Sequence, residues 1–535
     1  MMMLPLDLAS LLRHAAREHG DTAVVSLGPN GQVSRGNWRG LERRARLWGQ
    51  VWERLGLRPG SVVAFLGWHT HGLLEAVLGT AAGGMTALTL NPRQFPELLI
   101  YAVNRAEAQA LVFDAQMAPL VEAMQLQLGS VGHYIQFGGP EALPDSGFGP
   151  TLMDADSLLG FDDPDWHWPE VDENRAALIS FTAANSGWPR GVATSHRAAV
   201  LQAFSAALPD AYGLSRTDVL MPLLPVSHSG GWALCLCAAL TGAQLVLVPP
   251  GLDASVLAAT MREQGVTMAA GPPSLWLELL DHLDQAGDHP ASLRRAAVGA
   301  AAFPPALLKR LRAWSGVEVV HTWGMSEVAP PALVARGELL RPDADGRLPQ
   351  GRPVFGVELA LVGDDGRPLP RDGIAEGQLL VRGPWVLERY LGEAESPLVQ
   401  IPDVPGQWLP TGDIARIAPD STVTLTDRRK DLIRCGGEWI SAQLLERIAL
   451  LHPGVAEAAV IAQADEAQGE RPLLVVVARA GEPSPSAEEL LALYEKRVSD
   501  WQAPSAALTF PELPKLSNGE VDKRELRGLV ETLLD

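Results

Sequence analysis

The chain has 535 residues, 47% hydrophobic and 20% charged, which is too long for one hydrophobic core, so we expect at least two compact units. Its formal net charge of −20 repels phosphate backbones and anionic membrane surfaces, which excludes nucleic acid as an expected partner and requires a local positive pocket for any anionic ligand. With only three cysteines, the sequence excludes a disulfide framework and zinc-ligand spacing and favours a reducing cytoplasm.

Helical patterns alternate with short apolar strands through most of the first four hundred residues. Residues 1–21 predict an amphipathic helix, because no basic residue precedes the apolar stretch and Asp7 interrupts it, unlike a signal peptide. The longest apolar stretch, 230–250, is broken by Gly242 and Gln244, and so predicts a buried helix and a buried strand and no membrane span. Strands are predicted at 62–68, 86–91, 110–113, 177–182, 245–248 and 317–324. This alternation predicts mostly parallel sheets with crossover helices.

The pattern changes near residue 353. Short strand-like segments separated by turn signals predict a more antiparallel, barrel-like subdomain. After 427–441 a mixed pattern predicts a small α+β unit. The predicted fold class is therefore α/β, with a large N-terminal domain (1–429) and a mobile C-terminal lid domain (430–535).

Two segments that follow predicted strands carry candidate chemistry. In FTAANSGWPRGVATSH (181–196), backbone amides of a small-residue loop can cradle phosphate, and Arg190 adds positive charge. Taken alone, this segment favours an ordinary strand–turn–helix loop. In HTWGMSEVAP (321–330), Trp323 beside Gly324 can lie against a flat base and Glu327 can bind magnesium. A plain strand end with one exposed acid remains the alternative.

Two later segments complete the set. In PTGDIARI (410–417), Asp413 follows a predicted tight turn and can accept hydrogen bonds from paired ribose hydroxyls. The segment DRRKDLIRCGGEWIS (427–441) contains a charged run, which alone is compatible with a solvated linker. Its Gly436 and Gly437 permit close approach of a ligand to the backbone.

The order and spacing of these segments resemble the acyl-CoA synthetase branch of the adenylate-forming superfamily, nearest to medium- and long-chain fatty acyl-CoA synthetases. The resemblance extends over almost the whole chain, through LNP (90–92), LPVSHSGGW (224–232), GVTMAAGPPSLW (265–276), VGAAAFPP (298–305), WGMSE (323–327), GPW (383–385), TGD (411–413) and LPKLSNGEVDKREL (513–526).

The resemblance implies ATP/AMP, Mg²⁺ and CoA as cofactors or co-substrates. Glu327 is implied as the magnesium ligand, Lys430 as the hinge, and His228, Trp232 and Gly299 as the acyl pocket, with Trp232 as its gate. Arg190, His228, Glu327 and Glu520 occupy the implied catalytic positions. The implied nucleotide- and CoA-binding residues are Thr182, Asn185, Ser186, Gly187, Gly299, Ala300, Ala301, His321, Thr322, Trp323, Gly324, Met325, Ser326, Asp413, Arg428, Gly436 and Gly437.

Two segments depart from the family pattern. The phosphate loop, usually similar to TSGTTGxPKG, is TAANSGWPRG, so Arg190 replaces a lysine with a different donor geometry. The family's C-terminal catalytic lysine follows a glycine, but here Glu520 follows Gly519. A carboxylate there repels the negative charge that develops on the α-phosphate.

The expected function is ATP-dependent activation of a carboxylic acid, of fatty or other apolar type, as an acyl-adenylate with transfer to CoA. An amine or a carrier-protein thiol as acceptor, and an adenylation-impaired homologue that binds nucleotide or acyl ligands, remain alternatives. The expected partners are the acid, ATP and the acceptor. Such synthetases are frequently homodimers, but the sequence decides neither the oligomeric state nor the acid.

Overall fold

The computed structural model describes all residues except 1, 3, 29–30, 139–151, 183–187, 288, 315, 344–345, 429–430, 436–437, 466–468, 496, 517–519 and 535. The α-helices are α1 (Leu8–Glu18), α2 (Trp38–Arg54), α3 (His71–Ala82), α4 (Pro96–Arg105), α5 (Ala118–Met124), α6 (Ala155–Leu159), α7 (His196–Ala207), α8 (Ser229–Thr241), α9 (Ala254–Glu263), α10 (Pro273–Ala286), α11 (Pro305–Ala313), α12 (Ala442–Ala449), α13 (Ala487–Ala492) and α14 (Lys523–Leu534). The strands are β1 (Ala23–Leu27), β2 (Val33–Asn37), β3 (Val62–Leu66), β4 (Thr86–Leu90), β5 (Ala110–Asp114), β6 (His133–Phe137), β7 (Leu152–Asp154), β8 (Ala176–Phe181), β9 (Gly191–Ser195), β10 (Val219–Pro222), β11 (Gln244–Leu247), β12 (Met268–Gly271), β13 (Arg295–Val298), β14 (Glu318–Trp323), β15 (Leu333–Arg336), β16 (Arg352–Pro353), β17 (Glu358–Val362), β18 (Gly377–Arg382), β19 (Val399–Ile401), β20 (Val404–Ile417), β21 (Val423–Arg428), β22 (Ile433–Cys435), β23 (Glu438–Ile440), β24 (Val455–Asp465), β25 (Gly469–Ala478) and β26 (Ala506–Phe510).

Two sheets of mostly parallel strands build the large domain. One has the order β16-β15-β14-β13-β12-β10-β11-β1-β2, and the other β7-β6-β5-β3-β4-β8-β9. Antiparallel pairing occurs at the edges, through β2, β15 and β16 in the first sheet and β9 in the second. The interior strands are apolar runs because both of their faces are covered. The predicted parallel sheets with crossover helices are confirmed.

Helices α3 and α8 lie in the interior of this domain. Helix α3 contacts β1 of one sheet and β3, β4 and β8 of the other, so it is packed between the two sheets. Residues 229–239 of α8 are all buried, and a helix that is apolar on every side belongs in a core. Gly242, in the left-handed conformation with φ +74°, ends α8 before β11 begins. The buried helix and strand predicted for residues 230–250 are therefore confirmed.

A smaller antiparallel sheet follows, with the order β17-β18-β20-β19 and β21 paired to β20. Its inner side chains, such as Leu379 and Val423, are buried in the same hydrophobic core as α3 and α8. This sheet is the predicted barrel-like subdomain.

The C-terminal residues form a separate α+β unit around the sheet β23-β22-β25-β24, with β26 parallel to β25. One face of this sheet packs a core that includes Ile433, Leu445 and Tyr494. The other face packs against α14 through Leu526 and Val530. Among the described residues, neither core contains one before 433, which agrees with the expected unit, while the boundary at residue 430 stays a prediction. None of the helices in the described part of the chain combines the length and hydropathy that a transmembrane helix needs.

Candidate active site

A cavity of about 670 Å³ opens at the carboxyl ends of β12, β13 and β14, where the antiparallel sheet and the C-terminal unit also contribute. Carboxyl ends of parallel strands are the usual ligand-binding edge of an α/β sheet. Segments that are far apart in sequence meet here. The predicted residues that line the cavity are Thr182, Arg190, His228, Gly299, Ala300, Thr322, Trp323, Gly324, Met325, Ser326, Glu327, Asp413, Arg428 and Glu520.

Asp413 is held against Trp323 in this cavity. The Trp323 indole Nε1 donates a hydrogen bond to Asp413 Oδ2 at 3.0 Å, and the Asp413 amide donates to Thr411 Oγ1 at 3.1 Å. The prediction that Asp413 follows a tight turn is wrong, because the residue lies inside β20. An irregular register between β18 and β20, together with φ +79° at Gly412, bends the strand instead.

Arg428, at the end of β21, is surrounded by carboxylates. Its Nη1 and Nη2 donate to Oε2 and Oε1 of Glu520 at 3.1 and 2.9 Å, and its Nε lies 3.6 Å from Asp413 Oδ1. Burial opposes the charged guanidinium, but the negative charges of Glu520 and Asp413 outweigh it and raise the pKa of Arg428. Arg428 is therefore a permanent cation shared by both domains.

Arg190 is also paired on the cavity wall. Its Nε donates to Glu393 Oε1 at 2.8 Å, its Nη2 donates to Glu393 Oε2, and its guanidinium carbon lies 3.4 Å from the centre of the Tyr390 ring. The Arg190 amide donates to Thr182 Oγ1 at 3.0 Å. The hydrogen bond with Glu393 raises the pKa of Arg190 further. The guanidinium is thus fixed by the domain's own side chains.

Glu327 is a buried carboxylate, 7% exposed, in a short 3₁₀ turn after β14. Burial raises its pKa, and the hydrogen bond that Tyr390 donates to Oε1 at 2.7 Å opposes this shift. A single carboxylate such as Glu327 is a sufficient protein ligand for Mg²⁺ when phosphate oxygens and water molecules fill its other coordination positions. Among the residues that the structure describes, no group of three or more His, Cys, Asp or Glu side chains converges on one point.

Among the described residues that line the cavity, a second group has no charged side chain. His228 caps α8, where its Nδ1 accepts a hydrogen bond from the Gly230 amide at 3.0 Å, so its proton lies on Nε2. Burial lowers the pKa of His228 to about 4, which keeps the imidazole neutral at pH 7. The other residues of this group are Tyr212, Leu224, Gly230, Leu234, Ala270, Gly271 and Ala297.

Three predicted residues do not line the cavity. Trp232 is 1% exposed in the domain core, because α8 turns Gly230 and Leu234 toward the cavity and residue 232 lies on the opposite side of the helix. His321 is 3% exposed, its Nδ1 donates to Pro349 O at 2.9 Å, and its ring packs edge-on against Phe303. Ala301 follows Ala300, whose φ of +66° redirects the chain.

Other predictions lie outside the described residues. These are the roles of Asn185, Ser186, Gly187, Lys430, Gly436 and Gly437.

Sequence analysis missed Tyr390 and Glu393, which orient Glu327 and Arg190. Both residues come soon after the GPW segment, so their proximity to that motif was the available signal. Tyr212 and Thr411 were also missed. Thr411 belongs to the TGD segment, which was the available signal, whereas nothing in the local sequence of Tyr212 indicates a cavity.

The comparisons agree with this architecture. Residues 11–391 match the model of the AMP-binding enzyme family, and residues 444–520 match the AMP-binding enzyme C-terminal domain. The 3-methylmercaptopropionyl-CoA ligase of Ruegeria lacuscaerulensis is 40% identical over 98% of each chain. The medium-chain-fatty-acid–CoA ligase of Ectopseudomonas oleovorans is 37% identical over 98% of this chain and 96% of its own.

A solved structure shows the same fold over the whole chain. The crystal structure of an anthranilate CoA ligase with anthranoyl-AMP matches with a TM-score of 0.84 at 22% identity, over 98% of each chain. The chain belongs to the AMP-binding enzyme family, as the motifs implied.

Proposed function

We propose that the protein is an acid–thiol ligase that activates an apolar carboxylic acid of short to medium length with ATP and transfers the acyl group to CoA. The observation that carries this proposal is the lining of one cavity, which combines the charged groups of Asp413, Arg428 and Glu327 with uncharged described residues of α8 and of the ends of β12 and β13. Family membership supports the acyl-adenylate route. The relatives named for 3-methylmercaptopropionyl-CoA and medium-chain fatty acids support an apolar acid.

The charged and the uncharged residues of the cavity have different roles in this proposal. Asp413 and Arg428 offer hydrogen-bonding groups to the ribose, beside the flat indole of Trp323. His228 presents a neutral Nε2–H donor, which orients the acid's carboxylate without adding charge. Glu327 would hold Mg²⁺, which supplies positive charge to the phosphates when bound. The uncharged residues exclude water from the acyl chain and favour acids without a distal charge.

A second function is favoured by the pairing of both cavity arginines. Arg190 is bound to Glu393 and Arg428 to Glu520. The family resemblance implies that Glu520 stands at the position of the family's catalytic lysine. A protein that transfers acyl groups efficiently from a preformed acyl-adenylate, while it forms the adenylate slowly, fits these contacts.

The test is acyl-CoA formation measured by mass spectrometry with a panel of propionate-, octanoate-, palmitate-, benzoate- and glutamate-type acids. We expect product with ATP and CoA for the short and medium apolar acids, and none for glutamate. Parallel reactions with synthetic octanoyl-AMP distinguish slow adenylation from slow thioester formation. If no acid yields product by either route, the proposal is wrong.

A nucleotide-binding variant tests the site itself. Asp413→Ala should weaken AMP binding in calorimetry by roughly ten-fold or more, because it removes a buried charged acceptor. Asp420→Ala, an exposed aspartate near the start of β21 that does not line the cavity, is the matched control and should bind AMP as the wild type does. Equal affinities in both variants would contradict the assigned ribose site.

A further inference from the structure

The salt bridge between Arg428 and Glu520 joins the two domains inside the cavity. Arg428 ends β21 of the large domain, and Glu520 belongs to the C-terminal unit. The contact is bidentate, with oxygen–nitrogen distances of 2.9 and 3.1 Å. Planar guanidinium–carboxylate pairs of this geometry are stronger and more directional than single-contact pairs.

All three guanidinium nitrogens of Arg428 face a carboxylate. Nη1 and Nη2 donate to Glu520, and Nε lies 3.6 Å from Asp413. A ribose hydroxyl that binds the guanidinium edge facing Glu520 must therefore replace that carboxylate. Asp413 belongs to the same domain and also hydrogen-bonds Trp323, so Glu520 is the partner that can withdraw as the domains move apart.

Glu520 is attached firmly to its own domain. Its carbonyl accepts a hydrogen bond from the Leu516 amide at 2.8 Å, and an antiparallel bridge joins Lys515 to Val521. Directly afterwards, Asp522 accepts hydrogen bonds from the first amides of α14. Lys523 then bonds to Glu446 at 2.7 Å within the same unit. Glu520 is therefore expected to move together with the C-terminal domain.

We propose that Glu520 is a latch, which holds the C-terminal domain closed over the nucleotide pocket of the empty protein by occupying Arg428. The ribose can bind the guanidinium edge that Glu520 occupies only after this carboxylate withdraws. This inference rests on the proposed function for the ribose role of Arg428. A lysine at the same position, as in the family pattern, would repel Arg428 and leave the empty lid free to open.

The experiment compares wild type with Glu520→Gln, which keeps the shape and removes the charge. The position of the C-terminal domain is measured without nucleotide, by energy transfer between two dyes. The dyes are attached at Arg367→Cys in the large domain and Glu482→Cys in the C-terminal unit. The three native cysteines are first replaced by serine or alanine. We expect a larger open fraction in Glu520→Gln. Raising the salt concentration should open the wild type but not the variant, because salt screens the ion pair.

Calorimetry with AMP supplies the second readout. Glu520→Gln should bind AMP roughly ten-fold more tightly, since the ribose no longer competes with a charged partner. Glu457→Gln is the matched control, because Glu457 makes a 2.9 Å salt bridge to Lys515 in the same domain but does not line the cavity. It should change neither readout. Glu520→Asp, which retains the charge, should stay salt-sensitive and serves as the second variant should Glu520→Gln fold poorly.

The two proposals fail in different ways. An unchanged open fraction and unchanged salt response in Glu520→Gln would overturn the latch, whatever the protein's ligase activity. Loss of AMP binding in wild type and both variants would overturn the proposed function, while the lid measurement without nucleotide would still decide the latch. Weaker AMP binding in Glu520→Gln would show that the carboxylate assists the nucleotide and would also overturn the latch.

Discussion

Four side chains at the cavity form one connected unit. Glu393 pairs with Arg190, Arg190 stacks on Tyr390, and the Tyr390 hydroxyl hydrogen-bonds Glu327. Tyr390 is the shared member, since its ring faces the cation and its hydroxyl faces the buried acid. A change at the hydroxyl alone therefore isolates the effect on Glu327.

Tyr390→Phe tests this relation through pH. Burial raises the pKa of Glu327, and the hydrogen bond from Tyr390 lowers it, so removing the hydroxyl should raise the pKa further. The carboxylate then becomes protonated at a higher pH. If ligation needs the ionised form, the acidic limb of the pH–rate profile should move to higher pH.

The control is Tyr101→Phe, which removes the same hydroxyl from a tyrosine that stacks on Trp188 and does not line the cavity. Its pH profile should match wild type. An acidic limb that is the same in all three proteins would mean that Glu327 does not set it.

At the scale of single elements, close packing of α8 positions uncharged residues that line the cavity. A Cβ built on Gly231 would lie 2.0 Å from Pro225 O and 2.7 Å from Leu224 O. The helix can therefore approach the segment after β10 only with glycine at this position. This approach sets where His228, Gly230 and Leu234 meet the cavity.

Gly231→Ala should lower stability by about 1–3 kcal/mol, because backbone atoms must move to admit the methyl group. The thermal midpoint should fall by about 1–3 °C, and the KM for the acid should rise as α8 shifts. Gly72→Ala in α3 is the matched control, since a Cβ there meets no atom within 4 Å. That variant should gain up to about 1 kcal/mol. Equal midpoints for wild type and Gly231→Ala would contradict this account.

The elements themselves were predictable because buried parallel strands have a strong signature. The run 86–91 differs by one residue from β4 (Thr86–Leu90), and 110–113 matches β5 (Ala110–Asp114) equally closely. Local conformation was harder to predict. A strand bent at Gly412 and a turn before Asp413 have the same residue preferences, and register against β18 decides between them.

For the whole molecule, motif order predicted which segments meet but not which side chains pair. The contact between Arg428 and Glu520 spans 92 positions in sequence and depends on how one domain sits on the other. The exclusion of Trp232 from the cavity depends on the rotation of α8. Both facts follow from three-dimensional packing, to which a single sequence gives no direct access.

At the scale of the whole molecule, we predict that the two domains fold independently of each other. The two cores of the C-terminal unit begin at Ile433 and Ala459 and share no residue with the cores of the large domain. The connection should therefore be cut without unfolding either part. Limited proteolysis with trypsin should cleave first between Asp427 and Asp431, where Arg428, Arg429 and Lys430 provide sites, and release two stable fragments.

The same digestion also tests whether the Arg428–Glu520 salt bridge protects the connection between the domains from cleavage. Glu520→Gln should be cleaved there faster than wild type, because Arg428 loses its bidentate partner, whereas Glu457→Gln should be cleaved at the wild-type rate. The fragments are identified by mass spectrometry and their folding by circular dichroism. First cleavage within β24 or β25, or unfolding of the large fragment after cleavage, would mean that the C-terminal unit is integral to the main core.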